Sequence, residues 1–355
     1  MIPLYKPFIP PQEQLFSLWK EVLDSGYIAQ GTYVDEFEHE FGDFIDYHSV
    51  VAVNSCTNAL QLALHLSNVG PDSEVISTPV TAEPTNIAIY HTGAKIVWAD
   101  VNPTTGNIDW YDAVTKITNR TKAVMFVDYM GMPAHDYKMY NVPPCVFLIE
   151  DAAHALGASW DNQMVGGLSD LTAFSFQAIK HLPTGDGGML AVSGDIERAR
   201  RLRWFGFDRD ADRMTDDITE AGWKMNMNNL TAAMGLVSLE HMDVVLSQYR
   251  NNAEYYCQHI TIDPTIPDRI PMDGVSSWWT FTLLVDDRDA LKKKLNDAGI
   301  GCSYGHRRND EHPIFADSRT KLNGVDYYTK HCIHIPCGWW VTKEDRERIV
   351  EVING

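Results

Sequence analysis

Three short segments of this chain carry residue types that can do chemistry together. The first is Asn54-Ser55-Cys56-Thr57-Asn58-Ala59-Leu60, where small polar residues leave an apolar run and open a helical one. Free N–H groups and the dipole at a helix start make such a turn a ready anion site. Ser55 and Thr57 can add hydroxyl donors to a phosphate. The second is Leu148-Ile149-Glu150-Asp151-Ala152-Ala153-His154, where two carboxylates end an apolar strand and a histidine follows. A buried carboxylate needs a compensating cation or donors. A protonated ring nitrogen is such a cation, and His154 can stack on or hydrogen-bond to the ring. The third runs from Phe174 to Gly188, with Lys180 just beyond an apolar strand and just before a Gly-rich turn. Desolvation there favours the neutral, nucleophilic amine. The glycines allow close backbone approach to a ligand or positive φ.

Taken alone, each segment has an ordinary reading: a capped helix, solvated acids at a strand end, a surface loop. A metal held by Asp151 and His154 lacks a third ligand at a recognisable spacing. A P-loop is excluded because Lys180 precedes its glycines. Together, however, an anion site, an acid at a strand end and a lysine near glycines are the parts that a pyridoxal phosphate site needs.

These segments sit on alternating strands and helices. Leu15, Leu18, Trp19 and Val22 mark one face of a helix over Pro11 to Asp24, stopped by Gly26. Strands are expected at Val50 to Val53, Glu74 to Ser77, Lys95 to Ala99, Ala123 to Val127 and Val146 to Ile149. Helices are expected at Thr57 to Leu66, Thr85 to His91 and Asp109 to Thr118. Continuous apolar runs separated by helices predict an α/β fold, with a largely parallel sheet buried on both faces and ligands beyond its carboxyl ends. After about Leu246 the pattern changes. Tyr249 to His259 reads as a helix and Pro264 to Pro271 as a Pro-rich loop. Trp279 to Val285 reads as a strand, and Asp289 to Ala298 and Thr342 to Ile353 as helices. Residues 1–246 are therefore read as a large domain and 247–355 as a smaller α+β one.

The 355 residues carry a formal net charge of −19 and are 45% apolar. Such a chain can bury a core without staples. Its charge argues against broad nucleic-acid binding and against adhesion to anionic membranes. The cysteines at 56, 145, 257, 302, 332 and 337 show no C-x-x-C pairing and read as free thiols of a reducing cytosol. No apolar h-region opens the chain and no run approaches the ~20 residues of a membrane helix, so a cytoplasmic enzyme is expected. The cluster Arg198-Arg200-Arg201-Arg203 reads as a solvated helix face.

With these motifs in order, the chain resembles the DegT/DnrJ/EryC1/StrS aminotransferases, fold type I pyridoxal-phosphate enzymes that aminate nucleotide-linked keto sugars. The resemblance runs from Ile2-Pro3-Leu4 to the C-terminal helix. It includes Ser25 to Gly31 with Glu36-Phe37-Glu38, Asn54 to Leu60, Gly93 to Asp100, Glu150 to Gly157, Phe174 to Gly188 and Gly222 to Leu236. It implies that Lys180 holds the cofactor as a Schiff base and acts as general acid and base. Asp151 would pair with the pyridine nitrogen, and His154 would sit by the ring. Ser55, Cys56, Thr57 and Ser175 would lie around the phosphate. It also implies a homodimer in which the segment Gly222 to Asn228 crosses to the partner, so that Lys224 serves the partner's phosphate. Substrate contacts are expected from Tyr27, Gln177 and His306, and from Arg307 and Arg308 toward a sugar-nucleotide diphosphate. The amino donor is expected to be glutamate. The chain departs from the family pattern at four places. Cys56 stands where Gly is usual and Lys224 where Asn is usual. Asn226 stands where Arg is common, and Ala82 where an aromatic commonly stacks on the ring. Relatives that dehydrate rather than transaminate have His in place of the lysine, and Lys180 argues against that activity. A silent sugar-sensing regulator is the alternative from another class; no DNA-binding segment is apparent.

Overall fold

The computed structural model describes residues 1–263, 265–266 and 273–355. In the first part of the chain the elements are α1 (Gln12–Ser25), α2 (Thr32–Phe44), β1 (Val50–Val53), α3 (Cys56–Leu66), β2 (Glu74–Ser77), α4 (Glu83–His91), β3 (Lys95–Trp98), α5 (Trp110–Thr115), β4 (Thr121–Val127) and β5 (Phe147–Asp151). Then come β6 (Ser159–Trp160), β7 (Gln163–Met164), β8 (Leu171–Ser175), β9 (Gly188–Val192), α6 (Ile196–Leu202), α7 (Asn229–Leu239) and α8 (Met242–His259). The chain closes with β10 (Gly274–Val275), β11 (Phe281–Leu284), α9 (Arg288–Asp297), α10 (Asn323–His331), β12 (Cys332–Ile335) and α11 (Lys343–Asn354).

Seven strands form one sheet in the order β1-β9-β8-β5-β4-β2-β3. Only β9 runs against its neighbours, antiparallel to both β1 and β8. The carboxyl ends of β1, β8 and β5 therefore share one edge. Side chains alternate across each strand, and both sets are buried. Val51, Val53, Leu171, Ala173, Leu190 and Val192 pack under α3 and α4 with Leu60, Leu64, Ala88 and Ile89. Val50, Ala52, Phe174, Met189 and Ala191 pack on the other face with Phe37, Phe41, Met242 and Leu246. This is why those strands read as continuously apolar.

The C-terminal core joins Ala253 and Tyr256 of α8 to the antiparallel pair β11 and β12, to α9 and α11, and to Ile2. Helix α8 starts at Met242, not Tyr249, and runs across residue 246, so that Leu246 and Tyr249 pack on the sheet and Ala253 and Tyr256 on the C-terminal core. Other boundaries differ from expectation by one to three residues, and three of them have consequences. Helix α5 ends at Thr115 because Thr118 turns away to donate to Glu74 Oε2 at 2.6 Å. Helix α4 starts at Glu83, with Pro84 in its first turn. The strand expected over Trp279 to Val285 spans only β11. Apart from residues 265 and 266, the Pro264 to Pro271 segment lies outside the described residues.

The arginine cluster is only in part a solvated face: Arg200 is exposed, but the others are not free. Arg203 is buried, pairs with Glu38 and donates to Ala52 O at 2.8 Å, while Glu38 accepts Ala52 N–H at 2.8 Å. The pair satisfies both backbone groups of one β1 residue. Arg198 and Arg201 are tied to Glu220 and Asp216 at 2.8 and 3.0 Å. No single helix among the described residues is long and apolar enough to cross a membrane.

Candidate active site

The three motifs meet at the carboxyl edge of the sheet. Ser55 follows β1, Asp151 ends β5, and Ser175 ends β8 five residues before Lys180. Alternation along β5 divides the two carboxylates. Ile149 and Asp151 project toward the α3 face, while Glu150 projects to the other. There Glu150 meets His135 Nε2 at 2.6 Å and accepts from Thr172 Oγ1 at 2.8 Å. Burial and the Glu150 charge push the neighbouring Asp128 carboxyl well up. Only Asp151 therefore faces the site.

Asp151 is buried and accepts from Thr85 Oγ1 at 2.7 Å and from Ala153 N–H at 3.1 Å. The Cys56 thiol lies 3.9 Å from Oδ1. Burial raises the Asp151 pKa, and these donors together with Lys180 pull it back. Burial also lowers the Lys180 amine to about 8, against the pull of Asp151. Lys180 Nζ lies 4.0 Å from the ring centroid of Trp279. That indole is buried, stacks on His154 at 3.9 Å and 10°, and donates Nε1–H to Ile179 O at 2.9 Å.

His154 is buried, and desolvation holds it well below the usual imidazole range. Its Nδ1 accepts Met130 N–H at 3.4 Å, so the neutral ring carries its proton on Nε2. Nε2 has no partner among the described residues. It is a buried donor awaiting an acceptor. The His306 ring lies parallel to His154, 6.0 Å away, and burial lowers it to about 4.

At the start of α3, Ser55 Oγ accepts Asn58 N–H at 3.1 Å, so Ser55 is the N-cap as well as a lining residue. Cys56 and Thr57 occupy the first turn, half-buried, and burial pushes the Cys56 thiol up so that it stays neutral. Gly188 lets β9 start against this turn, for a Cβ there would lie 2.6 Å from Cys56 N. Ser175 is buried, and its Oγ accepts Gln177 N–H at 3.4 Å.

The remaining candidates lie farther out. Gln177 is exposed, and its Oε1 accepts Ile179 N–H at 3.1 Å. Tyr27 is 69% exposed on the loop after α1, and among the described residues no hydrogen bond or ring contact joins its side chain to the cluster. Lys224 is exposed on a segment that lies along the end of β1, where Asn54 N–H donates to Met225 O at 2.7 Å. Its Nζ donates to Asn226 Oδ1 at 2.5 Å and lies 3.9 Å from the Trp204 ring centroid. Arg307 is exposed and paired with Glu311 at 3.2 Å. Arg308 instead turns inward. It binds Asp310 through two bonds of 2.7 and 2.8 Å and also pairs with Asp326. Asn309 pins this loop to α4, donating to Thr81 O at 2.9 Å and accepting from Asn86 Nδ2 at 2.8 Å. Thr85, Trp279 and Asn309 were not singled out in the sequence. The adjacent Trp278-Trp279 pair was the available signal for one of them, and the position of Thr85 in the first turn of α4 for another.

A lysine, a carboxylate and a helix start gathered on one edge of a mostly parallel sheet define a fold type I aminotransferase. The chain belongs to the DegT/DnrJ/EryC1/StrS aminotransferase family, whose model matches residues 11–354. It is 37% identical to the spore coat polysaccharide biosynthesis protein SpsC of Bacillus subtilis, covering 94% of this chain and 92% of that protein. It is 29% identical to GDP-perosamine synthase of Escherichia coli O157:H7, over 95% of this chain and 91% of that one. Among solved structures, the sugar aminotransferase CalS13 from Micromonospora echinospora superposes with a TM-score of 0.92 at 35% identity, covering 100% of this chain and 99% of that one.

Proposed function

We propose that the protein is a pyridoxal-phosphate-dependent aminotransferase that moves an amino group from glutamate to a nucleotide-linked keto sugar, and that it works as a homodimer with shared active sites. The observation that carries the reading is a half-buried lysine, its amine lowered by desolvation to about 8, at the same sheet edge as a buried carboxylate. The residues fit the cofactor. The unpartnered Nε2–H of His154 offers a donor, Asp151 a charge for a ring nitrogen, and the first turn of α3 an anion site beside Gly188. In this reading Lys180 holds the cofactor and Ser55, Cys56, Thr57 and Ser175 surround its phosphate, joined by the partner subunit's Lys224. When bound, the cofactor supplies the electron sink that lets a proton leave the substrate's α-carbon. Lys180 Nζ takes that proton, and an amine lowered to about 8 is partly neutral near pH 7 to 8, as a general base requires. Tyr27, Gln177, His306 and Arg307 are the acceptor-side groups, and Arg308 holds the loop that carries the last two. The sugar and nucleotide assignments are supported by the relatives named CalS13 and GDP-perosamine synthase.

The test loads the protein with pyridoxamine phosphate and offers keto sugar nucleotides, including GDP- and UDP-linked 4-keto-6-deoxy sugars. The visible band of the lysine-linked cofactor is expected to return with one of them. Lys180→Ala is expected to abolish turnover. Near-normal amination by that variant, or a protein that stays colourless with pyridoxal phosphate, would overturn the reading.

A further inference from the structure

Trp279 makes two contacts to consecutive residues of the lysine loop. Its Nε1–H donates to Ile179 O at 2.9 Å, and its ring lies 4.0 Å from Lys180 Nζ. The indole is 2% exposed, is braced by Tyr5 at 4.6 Å and 22°, and stacks on His154 at 3.9 Å. Among the described residues no hydrogen bond or ion pair holds Nζ, so the indole is what fixes the amine in place. A desolvated ammonium over an indole is attracted by the ring quadrupole, more strongly than over a smaller ring. Ala82, at the start of α4, offers no aromatic to the site.

We propose that Trp279 is a positioning residue for Lys180: the indole receives the amine whenever that amine is not bonded to the cofactor, and the bond to Ile179 O holds ring and lysine in register. The proposal rests on Lys180 being the cofactor lysine. The indole stabilises the ammonium against the desolvation around it and returns the amine to one place after each proton transfer. The other groups that act on this amine are Asp151 and Cys56, with the imidazoles of His154, His181 and His306, which burial keeps neutral.

The test measures the pH dependence of Lys180 acetylation by acetic anhydride in the full-length protein, read from the mass of the Lys180 peptide. It is run without cofactor and with pyridoxamine phosphate bound, because the amine is free in both. In the wild type the rate should be half-maximal at a pH below the ordinary lysine range, because the amine is desolvated. Trp279→Phe keeps an aromatic face and should stay within about half a unit. Trp279→Leu should fall by about one unit, because the ammonium loses its partner. Should Trp279→Leu not fold, Trp279→Met makes the same comparison with Phe. A midpoint unchanged without the ring, or a Phe variant as low as Leu, overturns the proposal. So does a midpoint that rises toward the ordinary lysine range, because the indole would then only exclude water. Failure here is distinguishable from failure of the function. Acetylation reports the amine whether or not borohydride fixes pyridoxal phosphate on Lys180, and only the latter tests the reading above.

Discussion

Thr85→Val removes one hydroxyl and almost no volume, and it acts on the carboxylate on which the proposed chemistry depends. Thr85 Oγ1 donates to Asp151 Oδ2 at 2.7 Å and meets Thr81 Oγ1 at 2.9 Å. A hydrogen bond to a charged group contributes about 1.5–3 kcal/mol. Burial raises the Asp151 pKa, and Thr85 is the largest of the contacts that lower it. Removing that donor should therefore move the carboxyl further up, by about one to two units at ~1.36 kcal/mol per unit. The sign follows from the charge. Asp151 must be ionised to hold a proton on a ring nitrogen, so activity is retained above its pKa and lost below it. The acid limb of kcat/KM for the amino donor should move up by about one to two pH units in Thr85→Val. The plateau at higher pH should change little. Stopped-flow absorbance of the cofactor during one half-reaction measures this without the sugar acceptor. An acid limb within about 0.3 units of wild type, in a variant that still binds cofactor, would refute the reasoning.

Two further substitutions test the frame around the site. Gly188→Ala places a Cβ 2.6 Å from Cys56 N and 2.7 Å from the carbonyl carbon of Ser55, so the start of α3 must move. Cofactor affinity, measured by fluorescence titration, should weaken about tenfold, the ~1.4 kcal/mol scale of a partly buried helix-terminus contact; unchanged affinity would show that this turn does not hold the phosphate. Arg203→Met leaves the buried Glu38 with only the more distant, exposed Arg200 at 3.7 Å and should cost up to about 3 kcal/mol in urea unfolding. A loss under about 1 kcal/mol would mean that the pair is as solvated as its sequence implied.

The elements that carry the motifs were legible because their signals are local. Val50 to Val53 is apolar at every position, which only burial on both faces explains, and Ser55 opens a helix with a side chain that caps it. What escaped depends on contacts far apart in sequence. Thr85 and Asp151 are separated by 66 residues, Trp279 and Ile179 by 100, and Asn309 and Thr81 by 228. No periodicity joins such pairs. The burial of Arg203 escaped for a related reason. An arginine beside three others reads as surface, and only the position of α6 beside β1, with Glu38 behind it, turns one member inward. Glu150 and Asp151 are the opposite case. Both ended a readable strand, and period-two geometry alone decides that they serve opposite faces.

The departures from the family pattern look less like losses once contacts are counted. Cys56, in place of a glycine, brings its sulfur to 3.9 Å from Asp151 Oδ1 and stays neutral, so it adds a weak donor and no competing charge. Ala82 takes an aromatic away from the start of α4, yet Trp279, two residues before β11, brings one to the lysine. Lys224 and Asn226 stand where an amide and then a cation are usual, so the segment keeps one of each in reversed order. Lys224 Nζ reaches Asn226 Oδ1 at 2.5 Å, which returns the displaced charge toward the position two residues on. Cys56 thus adds a donor, while Trp279 and Lys224 bring a ring to the lysine and a charge to their segment.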